Sequence, residues 1–286
     1  MIGPHNSGDD IAGKVYKVGK NVSEFKPGDR VAAFHVMMDP NGSFAEYAIA
    51  PQHTTFHIPP QMSFEQASTY PLAAMTAALG LFVHLGLPTP LRPAEKEVPL
   101  VIYGGSSSVG AFAIKLAKLA NIHPIIAVAG SSSDFARSIG ADIVVDYRKG
   151  NVVEDLKAAL DGKTLDGAYD AISEGDSIKH LNEVVKSGGK IVTVLPTDEK
   201  DATNVTVHRM TVGDSHTGSQ SQQDFASAYF RLFTHWAKSG RFDPHPHEVV
   251  PGGLEGIEQG LQRLQQGKVN AKKLVFRISD TPGLNA

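Results

Sequence analysis

A chain of 286 residues with a formal net charge of −3 and no cysteine has room for two domains and is too acidic for a nucleic-acid or membrane-surface protein. The lack of cysteine removes disulfides, thiolate zinc sites and cysteine nucleophiles together, and it suits the cytosol. No apolar run is long enough to span a bilayer, and the first ten residues lack the basic and apolar regions of a secretory leader. Residues 11 to 60 read as short β segments: Ile11 to Val18, Pro27 to Phe34 and Phe44 to Ala50. Pro27-Gly28-Asp29 and Pro40-Asn41-Gly42 are turn signals between them. From Ser63 the pattern changes. Ser63 with Gln66 three residues on forms a capping box that opens a helix, and a second, alanine-rich helix follows Pro71. Thr76 is a polar residue within it, for which a bond back to the helix is the ordinary explanation.

From residue 98 to about 210 the order is strand, helix, strand, helix, which predicts a parallel sheet. Leu100 to Tyr103 is a buried-strand run. It turns through Gly104, Gly105 and three serines into an amphipathic helix with Val109, Phe112, Ala113, Leu116, Ala117 and Ala120 on one face. Such a strand, glycine turn and helix start suit a phosphate, because the backbone comes close and the helix N-terminus offers unpaired N–H groups. Gly105-x-Ser107-x-x-Gly110 has serine where the dinucleotide fingerprint has its middle glycine. The front of a P-loop also fits, but Ala111 and Phe112 stand where that motif needs Lys and Ser/Thr. Further strands are expected near residues 124 to 129, 143 to 145, 168 to 172, 190 to 195 and 205 to 208. Helices are expected over 134 to 139, 152 to 160 and 178 to 186. Residues 211 to 224 read as a polar surface loop, 225 to 238 as a helix, 241 to 252 as a crossing loop, 254 to 266 as a helix and 271 to 278 as a terminal strand returning to the first domain. His245-Pro246-His247 reads as surface loop, since no ligand cluster accompanies it. No serine shows the G-x-S-x-G of a hydrolase elbow.

An NAD site places an acidic residue at the end of the second strand of the unit, where it accepts from the ribose hydroxyls. Here that strand runs into Gly130-Ser131-Ser132-Ser133, and no carboxylate appears before Asp134. Small hydroxyl donors suit a 2′-phosphate, which a carboxylate would repel; a plain serine turn with one serine capping the next helix is the alternative.

The segments Gly8-Asp-Asp-Ile-Ala-Gly-Lys-Val, Phe25-Lys-Pro-Gly-Asp-Arg-Val-Ala, Gly42-Ser-Phe-Ala-Glu-Tyr, Pro71-Leu-Ala-Ala-Met-Thr-Ala, Gly104-Gly-Ser-Ser-Ser-Val-Gly, Gly140-Ala-Asp, Asp146-Tyr147, Gly188-Gly-Lys-Ile-Val and Lys272-Lys-Leu-Val span nearly the whole chain. In order and spacing the chain resembles the medium-chain dehydrogenase/reductase superfamily, in its zinc-free quinone-reductase and enoyl-reductase branch. It is most similar to the fungal trans-acting enoyl reductases. The resemblance implies an α/β fold, a Rossmann-type doubly wound parallel sheet plus a partial GroES-like β domain. The expected division is residues 1–80 for the GroES-like catalytic domain, 81–240 for the NADPH-binding domain and 241–286 for a segment returning to the catalytic domain.

The resemblance also implies an NADPH site. Ser106, Ser107, Ser108 and Val109 would hold the pyrophosphate. Ala129, Gly130, Ser131, Ser132 and Tyr147 would surround the 2′-phosphate, Val194 and Leu195 would pass the nicotinamide ribose, and Val269 and Asn270 would close the nicotinamide end. Leu72, Ala73, Ala74, Met75, Thr76, Ala77, Ala78 and Leu79, with Ser215, His216, Thr217, Gly218 and Ser219, would line the substrate side. Gly8-Asp9-Asp10 replaces the Gly-His-Glu of the zinc-dependent relatives, so no metal is expected. The family has several strands ahead of Gly8, so an N-terminally truncated member is expected, with exposed sheet edges. The implied activity is reduction of an activated C=C bond by NADPH, on an enone, an enoyl thioester or a quinone. A polyketide synthase is the implied protein partner. A quinone reductase and an NADPH-binding protein without turnover are the alternatives. No catalytic acid is assigned. Neither nucleic acid nor membrane is an expected partner, and the expected state is a cytoplasmic monomer or homodimer.

Overall fold

The computed structural model of the chain describes residues 8–197 and 202–284. They form two compact units. One comprises Thr76–Thr211, and the other comprises the chain up to Met75 and again from Val212. The boundaries fall at 75/76 and 211/212 rather than at 80/81 and 240/241. The difference lies mainly in a long helix after residue 219, which is held by the first segment of the chain. Arg231 donates to the carbonyls of His53 and Gln52 at 2.9 and 3.1 Å, and Thr234 Oγ1 donates to the His57 carbonyl at 2.7 Å.

The Thr76–Thr211 unit is built on a six-stranded sheet. Its strands are β4 (Leu100–Tyr103), β5 (Ile125–Ala129), β6 (Ile143–Asp146), β7 (Gly167–Asp170), β8 (Lys190–Thr193) and β9 (Thr206–Arg209). All pairs are parallel and the order is β6-β5-β4-β7-β8-β9. Continuous apolar runs belong in such a sheet, because crossover helices cover both faces. Accordingly every residue of β4 and β5 is buried. The crossovers are α3 (Ser108–Leu119), α4 (Ser133–Ser138), α5 (Val152–Leu160) and α6 (Ser177–Asn182). Val101, Ile126, Val128, Leu156, Leu181 and Ile191 pack together in one core; each such burial contributes roughly 1.5–3 kcal/mol. Strand order reverses between β4 and β7, so the crevice where open α/β sheets take ligands lies beyond the carboxyl ends of these two strands.

The other unit holds an antiparallel sheet in the order β1-β2-β3, formed by β1 (Asp10–Lys14), β2 (Arg30–Phe34) and β3 (Thr55–His57). The expected strand at Phe44 to Ala50 is absent. Its backbone is held by a loop instead: Ile49 N–H donates to the Asn41 carbonyl and Ser43 N–H to that of Gly8. The helix α1 (Phe64–Ala67) carries the expected capping box, with Ser63 and Gln66 bonded reciprocally at 3.1 and 3.0 Å. The next helix, α2 (Pro71–Ala78), runs on as a π-helical turn, Leu79–His84. Tyr169 Oη donates to the Thr76 carbonyl at 3.1 Å, and the Tyr169 ring fills the space a Cβ at Gly80 would need inside that turn.

The segment read as a polar loop is mostly helical. It contains α7 (Asp214–Thr217) and the first turn of α8 (Gln220–Lys238). Ser219 and Gln222 form a second capping box there. The segment read as a crossing loop contains β10 (His247–Val250), which pairs in parallel with β11 (Lys273–Phe276). His245 is buried, not on a surface loop. Between the two strands lies α9 (Ile257–Gln265). Among the described residues no helix is long and apolar enough to cross a membrane.

Candidate functional site

The glycine turn sits at the switch point of the six-stranded sheet. Gly104 has φ +80°, a conformation that side-chain-bearing residues rarely adopt. Its N–H and that of Gly105 both donate to the Val128 carbonyl at 2.9 Å, which ties the turn to β5. Gly110 touches the turn from the first coil of α3; a Cβ there would press on the Gly104 carbonyl oxygen and lie 2.9 Å from its carbon. Ser107, in place of the middle fingerprint glycine, is the N-cap of α3. Its Oγ accepts the Gly110 N–H at 3.0 Å, which leaves the hydroxyl proton available as a donor. The N–H groups of Ser108 and Val109 open the helix with no carbonyl behind them to take them up. Ser106 to Val109 are all partly exposed. Two glycines that allow close approach, and a helix of twelve residues behind them, make a cradle that fits a phosphate diester.

At the end of β5, Ala129 pairs in register with Asp146 at the end of β6. The Tyr147 ring covers Gly130, where a Cβ would meet the ring at 2.7–2.9 Å. The structure therefore brings Ala129, Gly130 and Tyr147 together, with Ser131 exposed and Ser132 partly exposed beside them. The expected serine cap takes another form. Ser132 stands at the N-cap of α4 without a capping bond, and Ser133 Oγ donates to the Gly130 carbonyl at 2.7 Å. One carboxylate lies close by, that of Asp146. Arg148 engages it through two nitrogens at 2.8 and 2.6 Å. This bond holds the Asp146 carboxyl down to about 2, and the pair is neutral overall.

On the other side of the switch point the sequence reading misses a residue. Asp170, the last residue of β7, is fully buried. Its carboxylate accepts from the N–H groups of Ile172 and Ser173 at 3.0 and 2.8 Å and from Ser177 Oγ at 2.5 Å. Burial pushes its pKa up, against the pull of these bonds. Nearby, Tyr103 Oη lies 3.0 Å from His180 Nδ1, and burial first of all pushes the tyrosine up to about 12. Val194 is partly exposed and Leu195 is 44% exposed.

The remaining expected residues have these surroundings. In α2 and the turn after it, Ala73, Ala74, Met75, Thr76, Ala77, Ala78 and Leu79 are buried, and Leu72 is partly exposed. Leu72 N–H donates to Asp10 Oδ1 at 2.8 Å, and Asp10 also pairs with Lys273; a carboxylate at the start of a helix complements its dipole. In the unit that contains Val212 onward, Ser215 is fully buried and its Oγ donates to the Val212 carbonyl at 2.7 Å. Thr217 and Ser219 are exposed, and Gly218 lies between them. Val269 is partly exposed and Asn270 exposed, in the same unit after α9.

His216 is held inside the unit. Its Nε2 lies 3.0 Å from Thr54 Oγ1 and 3.2 Å from the Phe34 carbonyl. Burial, then the neighbouring His53, pulls its pKa down to about 4. The neutral imidazole is thus the folded form, and its stability contribution is present above the ordinary value of 6.5 and lost as pH falls through about 4. His216→Gln keeps an N–H donor near Nε2 and removes the titration. Between pH 6.5 and 4 the wild type is expected to lose thermal stability faster than the variant; parallel curves across that window would refute this.

Residues 108–234 match the family of zinc-binding dehydrogenases, and residues 2–60 match the alcohol dehydrogenase GroES-like domain. The chain is 40% identical over 262 residues to the trans-enoyl reductase fsr4 of Gibberella fujikuroi, across 88% of this chain and 77% of the relative. Among solved structures, an alcohol dehydrogenase superfamily protein of Novosphingobium aromaticivorans superposes with a TM-score of 0.78 at 22% identity, over 92% of this chain and 78% of that one. The Escherichia coli quinone oxidoreductase complexed with NADPH does so with a TM-score of 0.74 at 20% identity, over 95% and 82%. These two likenesses carry the fold: a Rossmann-type sheet joined to a GroES-like antiparallel one. With a relative this similar over most of both chains, the chain belongs to the medium-chain dehydrogenase/reductase superfamily, in the family of the fungal trans-enoyl reductases.

Proposed function

We propose that the protein is an NADPH-dependent, zinc-independent oxidoreductase that reduces the C=C bond of an enoyl thioester or enone. The observation that carries this reading is the glycine turn at the switch point, with a hydroxyl-rich, carboxylate-free turn at the end of β5. The Ser108 and Val109 N–H groups and the Ser107 hydroxyl would bind the pyrophosphate. Ser131, Ser132 and Tyr147 would receive the 2′-phosphate, which the neutral Asp146–Arg148 pair does not repel. Val194 and Leu195 would pass the nicotinamide ribose, with Val269 and Asn270 at the nicotinamide. The bound dihydronicotinamide would supply the hydride. A chain without cysteine lacks the thiolates of a structural or alcohol-dehydrogenase zinc site, so the carbonyl oxygen of the substrate would depend on hydrogen-bond donors as enolate charge develops. The likeness to trans-enoyl reductases supports the enoyl class, and a polyketide synthase would present such thioesters. A cytosolic location agrees with the absence of cysteine.

NADPH is expected to bind at least about tenfold more tightly than NADH, ~1.4 kcal/mol. Ser132→Asp should erase the difference by repelling the 2′-phosphate. Equal affinities in the unmodified protein, read by fluorescence titration, would end the NADPH reading. The reaction is tested by supplying NADPH with an enoyl thioester, an enone, a quinone and an aldehyde in parallel, each with and without chelator. The alkenes should be reduced at carbon, the aldehyde left alone, and the chelator without effect. Turnover of the quinone alone would make the protein a quinone reductase, and turnover of the aldehyde alone would sink the enoyl assignment.

A further inference from the structure

A buried polar network joins the carboxyl ends of β7 and β8. Asp170 holds the N–H groups of Ile172 and Ser173, and Ser173 Oγ donates back to the Asp170 carbonyl at 3.0 Å. The same Oγ accepts the N–H of Val194 at 3.0 Å. Ser173 is itself buried and has φ +58°. For a residue with a side chain this conformation is costly and persists only where the surroundings enforce it. A plain strand exit could use glycine there. The loop also reaches the glycine turn: Ala171 N–H donates to the Tyr103 carbonyl at 3.0 Å, and the Ile172 side chain occupies the space a Cβ at Gly104 would need.

The geometry points to a positioning role for Ser173, which, locked by Asp170, sets the backbone at Val194 and ties it through Ile172 to the phosphate turn. It rests on the cofactor site proposed above and adds how that site is aligned. Because Ser173 takes up the Val194 N–H, that amide is engaged inside the network and the strand exit at Val194 is held to the β7 loop. The network lies at the carboxyl edge of the sheet, where ligands of open α/β sheets bind.

The experiment compares Ser173→Gly and Ser173→Ala with the wild type. Both lose the hydroxyl; glycine relieves the left-handed backbone and alanine keeps its strain. In cofactor-free protein the Val194 amide is expected to exchange faster with deuterium in both variants, while the thermal midpoint falls only for Ser173→Ala. The Kd for NADPH should rise about tenfold in both, and that for 2′,5′-ADP, which lacks the nicotinamide ribose, should stay within about twofold. Unchanged NADPH affinity in both variants would overturn the positioning role, as would equal weakening of the two ligands. A wild type that binds neither ligand would overturn the cofactor reading itself, and the positioning role with it.

Discussion

Gly110→Ala is expected to lower the thermal midpoint and to abolish measurable NADPH binding. Helix propensity alone argues the opposite, since alanine in place of glycine favours a helix by ~1 kcal/mol. Packing decides the sign. The new Cβ would press on the Gly104 carbonyl oxygen and stand 3.1 Å from the Gly105 Cα. These are backbone atoms. Gly104 and Gly105 are both tied to the Val128 carbonyl, so the turn cannot retreat without breaking from β5. Overpacking of this kind costs about 1–3 kcal/mol and sometimes more, which exceeds the propensity gain. The shift would also move the first turn of α3 away from any phosphate. Differential scanning fluorimetry and a cofactor titration check this together. A raised midpoint with intact binding would show that the contact of helix and turn is looser than described.

The second large effect is at Asp170. Asp170→Ala leaves the N–H groups of Ile172 and Ser173 and the hydroxyl of Ser177 without their acceptor. A buried donor left unpaired costs about 1–3 kcal/mol, so three together should cost roughly 3–5 kcal/mol or more. Asp170→Asn keeps one carbonyl oxygen for the two N–H groups and should lose less. The pH dependence separates charge from shape. The Asp170 pKa is raised by burial. That part of its stability contribution is fully present below the ordinary carboxylate value and is lost as pH rises through the folded pKa. The wild type should therefore gain stability relative to Asp170→Asn on acidification. Urea unfolding at several pH values measures it. A constant difference would mean that the carboxylate ionises in the fold as freely as in the unfolded chain.

What the sequence determined by itself is local. The apolar run to Tyr103, the turn from Gly104 and the amphipathic helix after it follow from residue periodicity and from what glycine alone permits at φ +80°. The capping box at Ser63 is equally local, since donor and acceptor lie three residues apart. The same signal stands at Ser219 and Gln222 and marks the true start of α8, but the polar composition around it suggests a loop. A short-range rule also fails at Phe44 to Ala50, where an alternating pattern is present and no partner strand takes it up. Likewise β10 is too short and too rich in proline nearby to be visible before β11 pairs with it.

Only the tertiary structure decided which strand lies beside which. Placing β4 between β5 and β7 creates the switch point, and that order comes from pairing residues 25 and 67 positions apart, beyond the reach of local propensity. The same holds for the polar groups. Asp170 lies within an expected strand, and His216 in a stretch that reads as a polar surface loop and that the resemblance places on the substrate side. Burial gives the carboxylate its three donors, holds Ser173 at a positive φ and keeps the imidazole neutral. A charge or hydroxyl removed from water must find partners or change its protonation, and those partners come from segments that only the folded chain brings together.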